Sequence, residues 1–381
     1  MRNIKNPFQY GGIVEGAAFC NRKKELADLT AAAESSEKLF LYSERRLGKT
    51  SLVHTVLRQL PKGRYAVAYI DLWPTDGERS FVAATARAIT ESMSGTAGQL
   101  LDVAKQLFSR LTPSVTADSE GKPKVTFGLN MSAQPGPEIE EVLAAPAKIA
   151  QRGKRKVVIV FDEVQQVLEY ESDRVERRMR SIIQKHQDVS YLFLGSRKHL
   201  IQKMFLDRSR PLYRAAGHYP LGSIETGHWV PFIARKFREG GKVIADQAIQ
   251  EVCRLTEGHP FYTQHLCHAL WELCEPGESV TETLIEAAMK VLLDRESYAY
   301  TALWESLAPN QKRLLKGLAS EPAGVKPFAG AFVRRHGLGS ASNSQRAAES
   351  LLNRDLIDRD NGSFLIGDRF FRIWIGQRQL Q

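Results

Sequence analysis

The stretch Lys38–Leu57, KLFLYSERRLGKTSLVHTVL, constrains this chain more than any other. Leu39, Phe40, Leu41 and Tyr42 read as a short buried strand, and Leu52, Val53, Val56 and Leu57 recur at helical spacing. Between them, Ser43-Glu44-Arg45-Arg46-Leu47-Gly48-Lys49-Thr50 and the following Ser51 fit a phosphate-binding loop, except that Ser43 stands where the pattern opens with glycine. A strand that turns into a helix aims backbone N–H groups and the positive end of the helix dipole at one spot, which suits an anion. Gly48 lets the backbone approach phosphate, Lys49 reaches the β and γ oxygens, and the Thr50 hydroxyl serves Mg²⁺. The plainer reading is a basic loop that caps a helix; strand, GKT and amphipathic helix in this order argue against it. Ser43 affects the loop's first turn, because serine lacks glycine's freedom in φ.

A second stretch supports the first. Arg155–Phe161, RKVVIVF, is a continuous β-branched run expected of a strand covered on both faces, and Asp162-Glu163 follow at its carboxyl end. Open α/β sheets bind ligands at that edge. Asp162 is then the Mg²⁺ ligand and Glu163 the group that polarises an attacking water. After a charged helix at 173–187, the strand Ser190–Gly195 delivers Ser196, read either as a sensor of the γ-phosphate or as a strand-to-helix cap.

At 381 residues the chain has room for two or three domains. Hydrophobic content of 43% with 25% charged residues is ordinary for a soluble protein. Met1–Tyr10 lacks the apolar core of a signal peptide and no run reaches membrane-spanning length, so no membrane partner is expected. Cys20, Cys253, Cys267 and Cys274 suggest no disulfide framework, and a reduced, cytoplasmic setting is the expectation. The net charge of +10 permits an acidic partner. It concentrates between Arg174 and Arg214, with 11 basic against 3 acidic residues, either as a solvated helix face or as a polyanion surface. Arg208, Arg210 and Arg214 in that segment are candidates for an arginine finger.

Along the chain, Asn21 is a plausible helix cap, Arg64–Leu72 is a strand, and helices are expected at 78–93 and 99–111. Pro113–Met131 reads as an inserted hairpin, and Pro135-Gly136-Pro137 breaks the chain before a helix from Glu138. A last sheet strand lies near His218–Leu221. From Ile224 the pattern is helical throughout, interrupted at Gly258–Tyr262. The histidines and cysteines at 259–274 match no familiar zinc spacing, and a core role suffices for them. Tyr298–Trp374 reads as a winged helix-turn-helix, with Ser342-x-x-Gln345 as a capping box and Asp360-Asn361-Gly362 as a hairpin turn. Gln345, Arg346, Arg354 and Arg359 either face duplex DNA or belong to a module that packs on its own chain.

These residues resemble a bacterial or archaeal ATPase of the STAND group (signal transduction ATPases with numerous domains), itself similar to the AAA+ origin-recognition ATPases. The resemblance rests on Asn6-Pro7-Phe8, Asn21-Arg22 and Glu25, the GKT loop, Asp162-Glu163, Gly258–Tyr262, and Asp368-x-x-Phe371-x-x-Trp374. It implies an α/β P-loop NTPase fold of the AAA+/ASCE type, with a parallel sheet of order 5-1-4-3-2 over residues 1–223 and the hairpin inserted near 113–132. It further implies a helical lid over 224–297 and a winged helix over 298–381. ATP or ADP with Mg²⁺ is the implied cofactor, Pro7, Phe8 and Arg22 approach the adenine, and His259-Pro260 sense the nucleotide from the lid. The implied activity is slow hydrolysis of ATP to ADP and phosphate by a molecular switch. The alternative is an ATP-gated DNA-binding protein of the origin-recognition or transposition-helper type. Neither a repeat nor an effector domain follows the winged helix, so output is expected through ATP-controlled self-association, an unknown protein partner or DNA.

Overall fold

In the computed structural model, which describes residues 5–93, 96–128, 136–153, 155–321, 326–360 and 363–378, two packed units emerge. One comprises residues 23–43 and 49–221. Its helix α1 (Lys23–Glu34) leads into β1 (Lys38–Tyr42), and α2 (Lys49–Gln59) starts at the lysine of GKT. There follow β2 (Tyr65–Asp71), α3 (Glu78–Met93), α4 (Ala97–Leu107), a hairpin of β3 (Thr112–Ala117) and β4 (Pro123–Gly128), and α5 (Gly136–Gly153). The unit closes with β5 (Lys156–Asp162), α6 (Arg174–Ile183), β6 (Val189–Gly195), α7 (Lys198–Leu206) and β7 (Gly217–Pro220).

The sheet has the lateral order β2-β5-β6-β1-β7 with every pair parallel. Numbered by its own five strands and read from the other edge, this is the expected 5-1-4-3-2. Parallel strands covered on both faces need apolar side chains throughout, and β6 is buried at every position. Phe161 stacks between Tyr191 and Phe193, with centroids 6.5 and 5.9 Å away, so the aromatic residues of β5 and β6 form one layer of the core. Register then fixes the functional edge. Asp71 lies opposite Asp162 and Tyr42 opposite Gly195, so Ser43, Glu163 and Ser196 all leave the sheet at its carboxyl ends.

The other unit gathers the chain up to Arg22, the loop Glu44–Gly48 and residues from Gly222 onward. It holds α8 (Thr226–Glu239), β8 (Val243–Ile244), α9 (Asp246–Thr256), α10 (Pro260–Leu273), β9 (Ser279–Val280) and α11 (Glu282–Glu305). Then come α12 (Pro309–Ser320), α13 (Gly330–Arg335), α14 (Ala341–Asn353), the antiparallel pair β10 (Ile357–Asp360) and β11 (Ser363–Ile366), and α15 (Arg369–Gln377). The boundary expected at 297 falls inside α11. A single apolar cluster runs from Trp229 and Leu266 through Leu292 to Leu351, Phe371 and Trp374, so lid and winged helix share a core.

Local expectations differ in four places. Asn21 does not cap α1, because Asn21 and Arg22 are left-handed, with φ of 52° and 71°, whereas a cap needs an extended backbone. α4 runs 97–107 rather than 99–111. The cap of α14 is Ser340, whose hydroxyl accepts from Asn343 N, rather than Ser342. The stretch beyond Ile224 is not helical throughout: β8 and β9 form a parallel ribbon of two residues each, too short for any period to register. Pro135, Met131 and the Asn361-Gly362 turn lie outside the described residues. Among those described, no helix is long and apolar enough to cross a membrane.

Candidate functional site

At the carboxyl edge of the sheet, Lys49 is buried and donates from Nζ to Ser43 Oγ at 2.8 Å. A buried ammonium demands polar partners, and the hydroxyl of the residue in the glycine position supplies one. One helical position on, Thr50 Oγ1 donates to Asp162 Oδ2 at 3.3 Å. The Tyr69 hydroxyl also donates to Asp162 Oδ2, and the backbone N–H of Glu163 donates to Oδ1 at 2.9 Å. Burial pushes the Asp162 carboxyl above the ordinary aspartate range; Glu163 adds to the rise, while the Tyr69 hydroxyl and Lys49 oppose it. Beside it, the His54 ring lies 4.6 Å from that of Tyr69, and burial lowers the His54 imidazole against the pull of Asp162.

Glu163 is held in a left-handed conformation, φ 51°, which costs on the order of 1–3 kcal/mol and persists only where the surroundings over-determine it. The determinants are visible. Its Oε2 accepts from Ser196 Oγ at 2.8 Å and from Gln165 Nε2. At the end of β6, a Cβ on Gly195 would meet Ile201 Cδ1 at 1.7 Å and Gln165 Oε1 at 2.6 Å, so this position must be bare for Gln165 to reach Glu163. Sequence reasoning missed Tyr69, Gln165 and Gly195. A strand tyrosine carries no signal, but a glycine ending an apolar strand beside the expected edge was a readable one.

The donor set fits Mg²⁺. One nearly buried carboxylate and one hydroxyl touch each other, and the described residues contain no group of three histidines, cysteines or carboxylates that would cage a metal. Mg²⁺ is commonly held by one or two carboxylates while phosphate and water oxygens complete its shell.

The loop Glu44–Gly48 packs within the other unit. Arg46 is left-handed at φ 59° and Gly48 at 87°. Arg369 ion-pairs with Glu44 Oε2 at 2.7 Å and with Glu257 Oε2 at 2.9 Å, and Arg45 pairs with Asp355 at 2.9 Å. His259 Nε2 donates to the Arg45 carbonyl at 3.1 Å, while the Arg46 guanidinium lies 4.4 Å from the Phe261 ring centroid. Arg22 donates to the carbonyls of Gly222 at 2.7 Å and Leu47 at 3.5 Å. Pro260 opens α10, where its missing N–H costs nothing. Phe8 is packed in the unit's core against Phe232, Phe237 and Trp271.

Of the three arginine-finger candidates, Arg210 ion-pairs with the buried Glu176, whereas Arg208 and Arg214 are exposed. Part of the basic segment resolves into ion pairs: Arg174–Glu78 at 2.9 Å, Arg177–Asp173 at 2.7 Å and Arg178–Glu140 at 2.5 Å. In the winged helix, Gln345, Arg346 and Arg359 are exposed; Gln345 bonds Glu349, Arg346 bonds Asn343, and Arg354 donates to Ser306 Oγ at 2.7 Å.

Comparison with known proteins adds a context. The family profile described as an ATPase domain predominantly from Archaea matches residues 19–266, and that of a probable winged helix domain matches 298–377. The Walker-type ATPase PABY2304 of Pyrococcus abyssi is similar in structure, with 17% identity, TM-score 0.65 and coverage of 97% of this chain and 99% of that one. The ORC2 protein of Aeropyrum pernix, solved in ADPNP–ADP complexes, is similar at 11% identity and TM-score 0.53, covering 99% of both chains. No curated protein sequence matches. At these identities the likeness establishes the fold.

Proposed function

Since the chain belongs to the family of ATPase domains found predominantly in Archaea, we propose that it is a Mg²⁺-dependent ATP-binding and ATP-hydrolysing switch of the STAND/AAA+ type. The observation that carries this reading is the meeting of Lys49, Thr50, Asp162, Glu163 and Ser196 at one end of one sheet. Lys49 exchanges the Ser43 hydroxyl for phosphate oxygens, trading a neutral acceptor for a charged one. Thr50 and Asp162 hold Mg²⁺, which supplies charge neutralisation for the transferring phosphoryl group. Glu163, aimed by Ser196 and Gln165, orients the attacking water and takes its proton. Two donors fix the aim of that carboxylate, and turnover is slow. ATP binding and its loss as ADP and phosphate then bias two states of the chain, with output through self-association or a protein partner.

The test is single-turnover hydrolysis of ATP. Wild type is expected to release phosphate, and Glu163→Gln to bind ATP equally well while releasing phosphate at least about a hundredfold more slowly, in line with loss of a general base. Equal rates in the two proteins make the chain a nucleotide-binding scaffold instead.

A second reading has its own observation. α14 buries Ser344, Ala347, Ala348 and Leu351 and presents Gln345 and Arg346 outward, as a recognition helix does, with Arg359 exposed on the wing. ATP-gated binding of duplex DNA requires affinity that falls steeply with salt and weakens in Arg346→Ala.

A further inference from the structure

The loop that would cradle phosphate lacks its first glycine and still adopts left-handed backbone at Arg46, φ 59°, and at Gly48, φ 87°. Successive N–H groups in such a conformation form a concave anion nest. Gly48 adopts it without cost, but Arg46 carries a Cβ and does not. A residue of this kind stays left-handed only where neighbouring groups fix it. Those neighbours come from two places in the chain. His259 and Phe261, at the start of α10, hold the Arg45 carbonyl and the Arg46 guanidinium. Asp355 and Arg369, in the winged helix, hold Arg45 and Glu44.

We propose that Arg369 is a positioning residue for the phosphate loop, so that the winged helix sets how tightly this chain binds nucleotide. Arg369 is built for that work. Its side chain is 5% exposed and spans Glu44 and Glu257, while Arg372 pairs with Glu257 as well. Its Nη1 also donates to the Gly367 carbonyl at 3.0 Å, which anchors the guanidinium to its own backbone. The Arg45–Asp355 pair is more exposed and adds direction more than energy. A loop already shaped before the triphosphate arrives spares the ordering cost of binding. Coupling of this kind is reciprocal: nucleotide strengthens the hold of the winged helix on the loop, and a partner that draws Arg369 away loosens nucleotide.

The inference rests on the nucleotide reading above, and the experiment separates the two. ADP affinity is titrated on the full chain for wild type, Arg369→Gln, Glu44→Gln and the double variant, with amide exchange of the 44–48 peptide followed in parallel. The single variants are expected to bind ADP about tenfold more weakly, about 1.4 kcal/mol. The double variant is expected to be no weaker than either, because both remove one shared contact. Exchange in the 44–48 peptide should rise about tenfold in all three. Glu44→Gln removes a charge without shortening the side chain, so it reports on the contact even where Arg369→Gln proves unstable. Wild-type binding matched by both variants within twofold, or unchanged exchange, overturns the positioning role. Absence of ADP and ATP binding in wild type overturns the nucleotide reading itself, and unchanged exchange then still decides the brace.

Discussion

Replacing Arg210 with alanine should cost stability far more than a typical surface substitution. Glu176 lies on α6 with its side chain 1% exposed, and the Arg210 guanidinium, itself 23% exposed, is its ion-pair partner. Burial raises the Glu176 carboxyl above its ordinary range and Arg210 opposes the rise. Removing one partner of such a pair leaves an uncompensated buried charge, worth about 3–5 kcal/mol, of which we take about 3 because the arginine is partly hydrated. At about 2–4 °C per kcal/mol for units of this size, melting should fall by about 6–12 °C. The sign with pH follows from linkage. A carboxyl raised in the folded state favours the protein below its unfolded pKa and loses that advantage as pH rises through the folded value. Without Arg210 the rise grows, so the deficit of Arg210→Ala should be larger at pH 8 than at pH 5. Paired thermal melts at the two pH values measure it, and Glu176→Gln combined with Arg210→Met should recover most of the loss. A deficit under about 1 kcal/mol, or one that shrinks with rising pH, refutes the reasoning.

Two further outcomes follow from the site. Asp162→Asn should raise the melting temperature at pH 8 with a smaller gain at pH 4, because the buried carboxyl, raised in the fold, penalises folding once ionised; a gain that grows on acidification contradicts this. Gly258→Ala should destabilise by about 2 kcal/mol or more by denaturant unfolding, since the position is left-handed at φ 63° and a Cβ would sit 2.3 Å from the Ile224 carbonyl oxygen; a loss below about 0.5 kcal/mol would show that the backbone there yields.

What could be read beforehand follows the physics of each feature. The strands were legible because a parallel core leaves runs such as Val157–Phe161 with nothing polar in them, and because GKT fixes which strand precedes α2, whereas their order in the sheet was implied by the family resemblance. Glu163 and Ser196 were legible as residues that each leave the end of an apolar strand, though their hydrogen bond to each other was not. The roles of Gln165 and Tyr69 were not, since a glutamine in a 3₁₀ turn and a tyrosine within a strand look like any others until register places them. Nor could the sequence show that Phe8 is spent in a core or that Glu44 reaches Arg369, because 324 intervening positions carry no period that pairs them. In the basic segment the partners of Arg174 and Arg178, Glu78 and Glu140, lie outside it and enter only through packing.

The most direct measurement is an equilibrium titration of ATP, with and without Mg²⁺, into wild type and Lys49→Ala. The account predicts saturable binding by wild type that tightens with Mg²⁺, and binding at least about a hundredfold weaker, a loss of about 2.7 kcal/mol, in the variant. Undiminished binding by Lys49→Ala, with or without the metal, would place the nucleotide elsewhere and contradict the site.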